Sequence, residues 1–135
     1  MPYAVGPFDV KVTPLAPPEG VSTDGLPLGR FGLEKKYHGT LEAESRGEMI
    51  GAGTGAKGSS AGYVAIEQVK GTLDGRAGTF VLQHSSTMTR GVPNMNIFVV
   101  PDSGTGELTG LTGKMTIGIA EGGKHSYEFE YSFSA

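Results

Sequence analysis

The clearest structural signal in the sequence is the stretch YVAIEQVKGTLDGRAGTFVLQH, which covers residues 63–84. Apolar and polar residues alternate on both sides of Asp74 and Gly75, and a period of two is typical of a half-buried β-strand. Asp-Gly is a preferred sequence for a two-residue type I′ turn, because both central residues of that turn need a positive φ. The stretch therefore predicts a β-hairpin with strands at residues 63–72 and 76–88.

The same alternation recurs along the rest of the chain, between turns that contain glycine and proline. It is most regular in HSYEFEYSF at residues 125–133, where aromatic residues occupy one face and Ser and Glu residues the other. Helical spacing is hard to find anywhere. Further strands are predicted at residues 5–13, 94–100 and 114–120, while residues 28–50 form either one bent strand or two. This pattern predicts an all-β fold of about eight strands in a single domain, residues 1–135.

A strand that is apolar on one face and polar on the other along its whole length fits a sheet that closes on itself, because a closed barrel leaves no exposed edge. A two-sheet sandwich would give the same alternation, so the pattern favours the barrel without excluding the sandwich. The terminal hairpin offers a finer prediction. An odd loop of three or five residues around Gly122 and Gly123 would place Ile119 opposite Tyr127 and Ile117 opposite Phe129.

Composition excludes several classes of function. The 135-residue chain has no cysteine, so it has neither a disulfide framework nor a cysteine nucleophile. The net charge is −3 and the basic residues are scattered, which argues against nucleic-acid binding. No apolar run is long enough to span a membrane, and the first residues do not resemble a signal peptide. A cytoplasmic protein without membrane or nucleic-acid partners is expected.

The glycine-rich segment GTGELTG, residues 104–110, and the three histidines are the parts of the sequence that could bind a cofactor or a metal. In that segment Thr109 stands where a dinucleotide-binding motif needs its third glycine, and no helical pattern follows. A structural turn is therefore predicted. His38, His84 and His125 are scattered and lack the spacing of metal ligands. The sequence predicts neither a cofactor nor a metal site.

Counting back from the Asp74-Gly75 turn places Glu67 and His84 together on the apolar face of the predicted hairpin, which points into the barrel. A buried carboxylate is costly unless it is paired or functional, and a carboxylate beside an imidazole can act as an acid/base pair. Glu67 and His84 are therefore the candidate catalytic residues. The candidate ligand-binding residues on the same face are Tyr63, Glu67, Phe80, Leu82 and His84.

Three stretches together resemble a bacterial family of unknown function whose fold is similar to the calycin-like barrel of the allene oxide cyclases. They are residues 63–84, residues 100–113 (VPDSGTGELTGLTG) and the aromatic strand at residues 125–133. The resemblance covers about residues 8–133. It implies a closed, eight-stranded antiparallel β-barrel that forms a homo-oligomer, and it brings no catalytic residue with it.

Three functions stay open from the sequence. The preferred interpretation is a barrel that binds a small apolar molecule through one or two polar contacts. The second is an isomerase or cyclase acting on a hydrophobic substrate, with Glu67 as general base or electrostatic stabiliser and His84 as general acid or orienting residue. The third is a structural or interaction module with a filled barrel. An open apolar cavity would favour the first two.

Overall fold

The structure is a computed structural model that describes residues 2–134. Its fold is a closed barrel of eight antiparallel strands. Each strand pairs with the next in sequence, and β1 also pairs with β8. The strands are β1 (Tyr3–Leu15), β2 (Leu28–Tyr37), β3 (Leu41–Ala52), β4 (Ala61–Leu73), β5 (Arg76–Thr89), β6 (Val92–Val99), β7 (Leu111–Ile119) and β8 (His125–Phe133). The predicted barrel is confirmed and the sandwich is excluded. No helix of residues 2–134 has the length and apolar character needed to cross a membrane.

The β4–β5 hairpin has the predicted register. Leu73 pairs with Arg76 across the turn, and further back Ala65 pairs with His84. Both turn residues have positive φ, +49° at Asp74 and +80° at Gly75, as a type I′ turn requires. The turn therefore fixes which side chains of both strands face the barrel interior.

The ambiguity at residues 28–50 resolves into two strands, β2 and β3. The chain reverses at Gly39, whose φ is +102° and where a Cβ atom would lie 2.6 Å from the carbonyl oxygen of Val5. Both the positive φ and the close approach of β1 favour glycine at this turn. Two neighbouring strands, each with one inward face, are thus available to line the interior.

The terminal hairpin has the predicted odd loop, but the individual pairs are two residues away from the prediction. Ile119 pairs with His125 and Ile117 with Tyr127, which leaves five residues in the loop. A shift of two residues keeps every side chain on its predicted face, so Phe129 is still buried. The alternation of polar and apolar residues determines the face of a strand, but it does not distinguish registers that differ by two.

One end of the barrel is filled with side chains. Phe80 stacks on Phe129 with ring centroids 5.8 Å apart, and both rings are buried. Tyr127 closes the end beneath the β2–β3 turn, where its hydroxyl donates to the carbonyl oxygen of His38 at 2.7 Å and accepts from the amide of Leu41 at 3.0 Å. We call this the closed end of the barrel, and the opposite end, where β2 begins and β3 ends, the mouth.

The glycine-rich segment between β6 and β7 completes the edge of β5. β6 pairs with β5 only from Leu82 onward, so the first part of β5 needs other partners. The Thr105 amide donates to the carbonyl oxygen of Thr79 at 2.8 Å, and the Thr79 amide donates to the Thr105 hydroxyl at 3.0 Å. A 3₁₀ turn at Gly106–Leu108 and then β7 follow. The predicted structural turn is confirmed, and it satisfies backbone groups that a closed barrel would otherwise leave unpaired.

Candidate functional site

Glu67 lies in the interior of the barrel with its side chain completely buried. Its Oε2 atom accepts a hydrogen bond from Lys35 Nζ at 2.7 Å and lies 2.6 Å from His84 Nε2. Its Oε1 atom accepts from the Tyr37 hydroxyl at 2.5 Å. We refer to Lys35, Tyr37, Glu67 and His84 as the Glu67 cluster. One carboxylate thus makes hydrogen bonds with three side chains from two other strands.

Small residues on β3 make this arrangement possible, because β3 lies between Lys35 on β2 and Glu67 on β4. Gly47 is the Cα partner of Glu67. A Cβ atom there would lie 1.9 Å from the carbonyl oxygen of Ile66 and 2.6 Å from the Glu67 Cα. Ser45, the Cα partner of Lys35, is the next inward-facing residue. The interior of β3 therefore leaves room for the lysine side chain to reach across it.

The cluster keeps Glu67 ionised. Burial by itself raises the pKa of this carboxyl group, but the hydrogen bonds from His84 and Lys35, together with the charges of both groups, outweigh burial and lower the pKa to about 2. Tyr37 behaves in the opposite way, since burial and the negative charge of Glu67 raise its pKa well above the ordinary value. At neutral pH the cluster therefore contains a carboxylate, an ammonium group and a neutral phenol that donates.

Two polar atoms next to the carboxylate remain without a partner. The Ser45 hydroxyl is buried and makes no hydrogen bond to the described residues. Burial and Glu67 raise the pKa of Tyr37, and the nearby Ser45 hydroxyl lowers it by a smaller amount. His84 is 3% exposed, and the hydrogen bonds of residues 2–134 include none to its Nδ1 atom.

A cavity of about 560 Å³ opens at the mouth of the barrel. Its lining is mainly apolar, with three methionines and one phenylalanine on the inward faces of β2, β3, β5 and β6. These side chains are Phe31, Met49, Met88 and Met95. Tyr63 and Ser86 supply hydroxyl groups at its lower side and are Cα partners on β4 and β5. We call this space the mouth cavity.

The mouth cavity and the Glu67 cluster are adjacent. One inward-facing position below Tyr63 and Ser86 on the same two strands stand Ala65 and His84. Burial raises the pKa of Tyr63, and the nearby negative charge of Glu67 raises it further, against a hydrogen bond with Ser86 that lowers it. The Glu67 cluster therefore begins one inward-facing position below the lining of the mouth cavity and is not part of that lining.

A larger depression of about 690 Å³ lies on the outer surface of β3, β4 and β5. Exposed outward side chains such as Ile50, Val64 and Ile66 line it. His84 also belongs to its lining, whereas Glu67 does not. The depression therefore borders the imidazole that contacts the buried carboxylate, but not the carboxylate itself. In the part of the chain that the structure describes, no group of three or more His, Asp or Glu residues could hold a metal ion.

Comparison with known proteins places the chain in a family. The sequence pattern of DUF3224, described as a protein of unknown function, matches residues 4–131.

The chain belongs to the DUF3224 family.

A solved structure from the same family, a protein of unknown function from Shewanella oneidensis MR-1, is 51% identical to this chain. The match covers 100% of this chain and 99% of that chain, with a TM-score of 0.92. No curated protein matches the sequence. The DUF3224 barrel is therefore the fold of this chain, and the family description adds no activity to it.

The DUF3224 chain brings some of the predicted site residues together and separates others. Glu67 and His84 are in contact, as the hairpin register predicts, and Tyr63 lies above them. Phe80 and Leu82, the other candidate ligand-binding residues, belong to the buried core and do not line the mouth cavity. Every second residue of β5 faces inward along the whole strand, but only the residues near the mouth, Ser86 and Met88, line the mouth cavity.

Sequence reasoning missed Lys35, Tyr37 and Ser45. The alternation of β2 already placed Lys35 between Leu33 and Tyr37 on the apolar face, and a lysine on such a face needs a buried counter-ion. The position of Lys35 on this apolar face is the signal in the sequence that could have identified it as a member of the site. Neither the pairing of β2 with β3 nor the reach of the lysine across β3 can be read from one hairpin, so Glu67 was not linked to it.

Proposed function

We propose that this protein binds a small apolar molecule in the mouth cavity, with one or two polar contacts at the cavity floor. The observation that carries the proposal is the cavity of about 560 Å³, with its apolar lining next to the Glu67 cluster. Small-molecule sites are concave, mostly apolar spaces of roughly 300–1,000 Å³ with a few placed polar groups. Side chains often fill a small barrel completely, and here they fill the closed end only.

The methionines of the cavity support an adaptable site. Met49, Met88 and Met95 come from three different strands and converge on one space. Methionine has an unbranched, polarizable side chain, and it packs against apolar partners of different shapes. The cavity is therefore suited to an apolar molecule, whereas the floor supplies the few groups that would orient it.

The substitution Met49→Trp is expected to weaken binding of an apolar probe, N-phenyl-1-naphthylamine, by at least about tenfold, or ~1.4 kcal/mol. The larger ring occupies the cavity that the probe needs. Probe fluorescence, which rises in an apolar environment, measures the affinity. The native chain has no tryptophan, so the new residue also reports its own surroundings.

Ile50→Trp is the matched control, because Ile50 is the next residue on β3 and its side chain faces outward and is exposed. It should bind the probe like the native protein. Equal affinities for the native protein and Met49→Trp would contradict the proposal, as would the absence of any saturable binding to the native protein.

A second candidate is an isomerase or cyclase for a hydrophobic substrate. The observation that favours it is the contact between Glu67 and His84, since a carboxylate that orients an imidazole is a recurrent arrangement for proton transfer. Glu67 already accepts three hydrogen bonds, so His84 would move the proton and Glu67 would position it. The resemblance of the sequence to a family with an allene oxide cyclase-like barrel favours this candidate only by analogy of fold. The homo-oligomer that the resemblance implies stays a prediction.

A further inference from the structure

We propose that the ligand of the mouth cavity is an uncharged aromatic compound, such as an aromatic alcohol, ketone or amide, and not a fatty acid or an amine. This inference rests on the proposed function, because it takes the mouth cavity as the binding site. It adds the chemical class of the ligand, and it follows from the charges, the hydroxyl groups and the side-chain types of the lining.

The first observation is the absence of charge from the lining. None of the described residues that line the mouth cavity is Asp, Glu, Lys, Arg or His. A ligand that brings a charge into an apolar space loses its hydration there, and the loss is large unless an opposite charge compensates for it. The lining offers no such counter-ion, so an uncharged ligand is favoured over an anion or a cation of the same size.

The buried charges of the Glu67 cluster are not available to a ligand. Lys35 and Glu67 lie below the lining and form an ion pair, with 2.7 Å between Nζ and Oε2. Neither residue lines the mouth cavity. To bind a ligand carboxylate, Lys35 would have to leave Glu67, and Glu67 would then be buried without its counter-ion. The cluster therefore does not replace the counter-ion that the lining lacks.

The hydroxyl groups of the cavity lie at its inner side. On β5, Ser86 is 8% exposed, whereas Met88, two residues nearer the mouth, is 38% exposed. Tyr63 is the Cα partner of Ser86 on β4. The polar end of a ligand is therefore expected at the inner side, beside hydroxyl groups that can both donate and accept hydrogen bonds. An amphiphile that keeps a charged head in water is disfavoured, because it would place only its apolar tail against these groups.

The aromatic character of the ligand follows from the thioether and phenyl groups of the lining. Met49, Met88 and Met95 reach the cavity from three strands, and methionine sulfur makes favourable contacts with aromatic rings. A Cβ atom at Gly29 would lie 2.9 Å from the ring of Phe31, so this ring leans over the glycine toward the mouth. Pairs of aromatic rings gain stabilisation beyond their buried area. A saturated ligand with the same carbon skeleton gains neither contact.

Displacement of N-phenyl-1-naphthylamine from the native protein at pH 7 tests the charge and the ring separately. The compounds 2-naphthamide and 2-naphthoate have nearly the same shape and differ in charge, as do 2-naphthalenemethanol and 2-naphthylmethylammonium. We expect the uncharged member of each pair to bind at least about tenfold more tightly. We also expect 2-naphthalenemethanol to bind at least about threefold more tightly than decahydro-2-naphthalenemethanol, although the saturated compound is the more hydrophobic of the two.

Two results on the native protein would overturn the inference and leave the proposed function standing. In the first, the probe binds, and a charged compound displaces it as well as its uncharged partner does. In the second, the probe binds, and the saturated alcohol displaces it as well as the aromatic alcohol does. If neither the probe nor any of these compounds binds, the proposed function is overturned as well.

Met95→Lys supplies the counter-ion that the cavity lacks and should improve the binding of an anion. Met95 lines the cavity and is 41% exposed, so a lysine at this position keeps contact with water. We expect this variant to bind 2-naphthoate at least about tenfold more tightly than the native protein does.

Asn96→Lys is the matched control, because Asn96 is the next residue on β6 and its exposed side chain faces outward. It adds the same charge outside the barrel and should leave the affinity for 2-naphthoate unchanged. If Met95→Lys keeps the circular dichroism spectrum of the native protein and still binds 2-naphthoate no better, the missing counter-ion does not determine the ligand class and the inference is wrong.

Discussion

Glu67→Gln is expected to lower the free energy of unfolding by about 3–5 kcal/mol, because removal of one partner of a buried ion pair leaves the other charge uncompensated. Lys35 is that other partner, with its ammonium 2.7 Å from the carboxylate and a side-chain exposure of 5%. The amide of glutamine keeps the shape of the side chain but cannot balance the positive charge of Lys35. A neutral buried contact would cost only roughly 1–3 kcal/mol, so the size of the loss reports the charge.

Urea denaturation at pH 7 measures the effect, with Glu44→Gln as the control. Glu44 is an exposed glutamate on the outward face of β3, and its replacement should change stability by less than about 0.5 kcal/mol. The double variant Lys35→Met with Glu67→Gln removes both charges and should recover a large part of the loss. If the single Glu67→Gln variant is as stable as the native protein, Glu67 and Lys35 do not form a buried pair.

Acidification is expected to cost the native protein about 3 kcal/mol of stability between pH 5 and pH 2, through Glu67 alone. Its pKa in the folded protein is about 2, below the ordinary value of 4.5. A lowered pKa means that the contribution of the carboxylate is complete above about pH 4.5 and is lost as the pH falls toward 2. Urea titrations at a series of pH values give this dependence, which should be much weaker in Glu67→Gln.

Glu48→Gln is the control for acid sensitivity. The pKa of Glu48 is also lowered, by its hydrogen bond to Arg30 and by the arginine charge, but both side chains are exposed. Solvent screens such a pair, so this variant should keep the acid dependence of the native protein. The same slope in the native protein and in Glu67→Gln over this range of pH would contradict the assignment of the low pKa to Glu67.

The sequence was sufficient for the parts of the fold that local physical chemistry controls. Asp74 and Gly75 fix a two-residue turn, and a two-residue turn fixes every pair of the hairpin, so the contact between Glu67 and His84 could be inferred. The terminal hairpin has no such turn. Its longer loop left the register open by two residues, since Ile117 faces the same way opposite Tyr127 or Phe129.

Only part of the candidate site could be predicted from the sequence. Lys35 reaches Glu67 across an intervening strand, and this contact depends on the small residues Ser45 and Gly47 of β3 and on the curvature of a closed sheet. None of these follows from periodicity. The mouth cavity was equally hidden, because Met49 and Phe80 both face inward by alternation, and only packing in three dimensions distinguishes the open end from the filled one.

Native mass spectrometry is the most direct test of the proposal that the mouth cavity holds a small apolar molecule. The protein is purified without organic solvent from the organism that makes it. We expect the mass of the chain plus one bound compound of a few hundred daltons, a size that suits a cavity of about 560 Å³. Organic solvent should release the compound, and Met49→Trp from the same source should lack it. The mass of the bare chain alone, in a preparation that also fails to retain apolar compounds added back to it, would contradict the proposal.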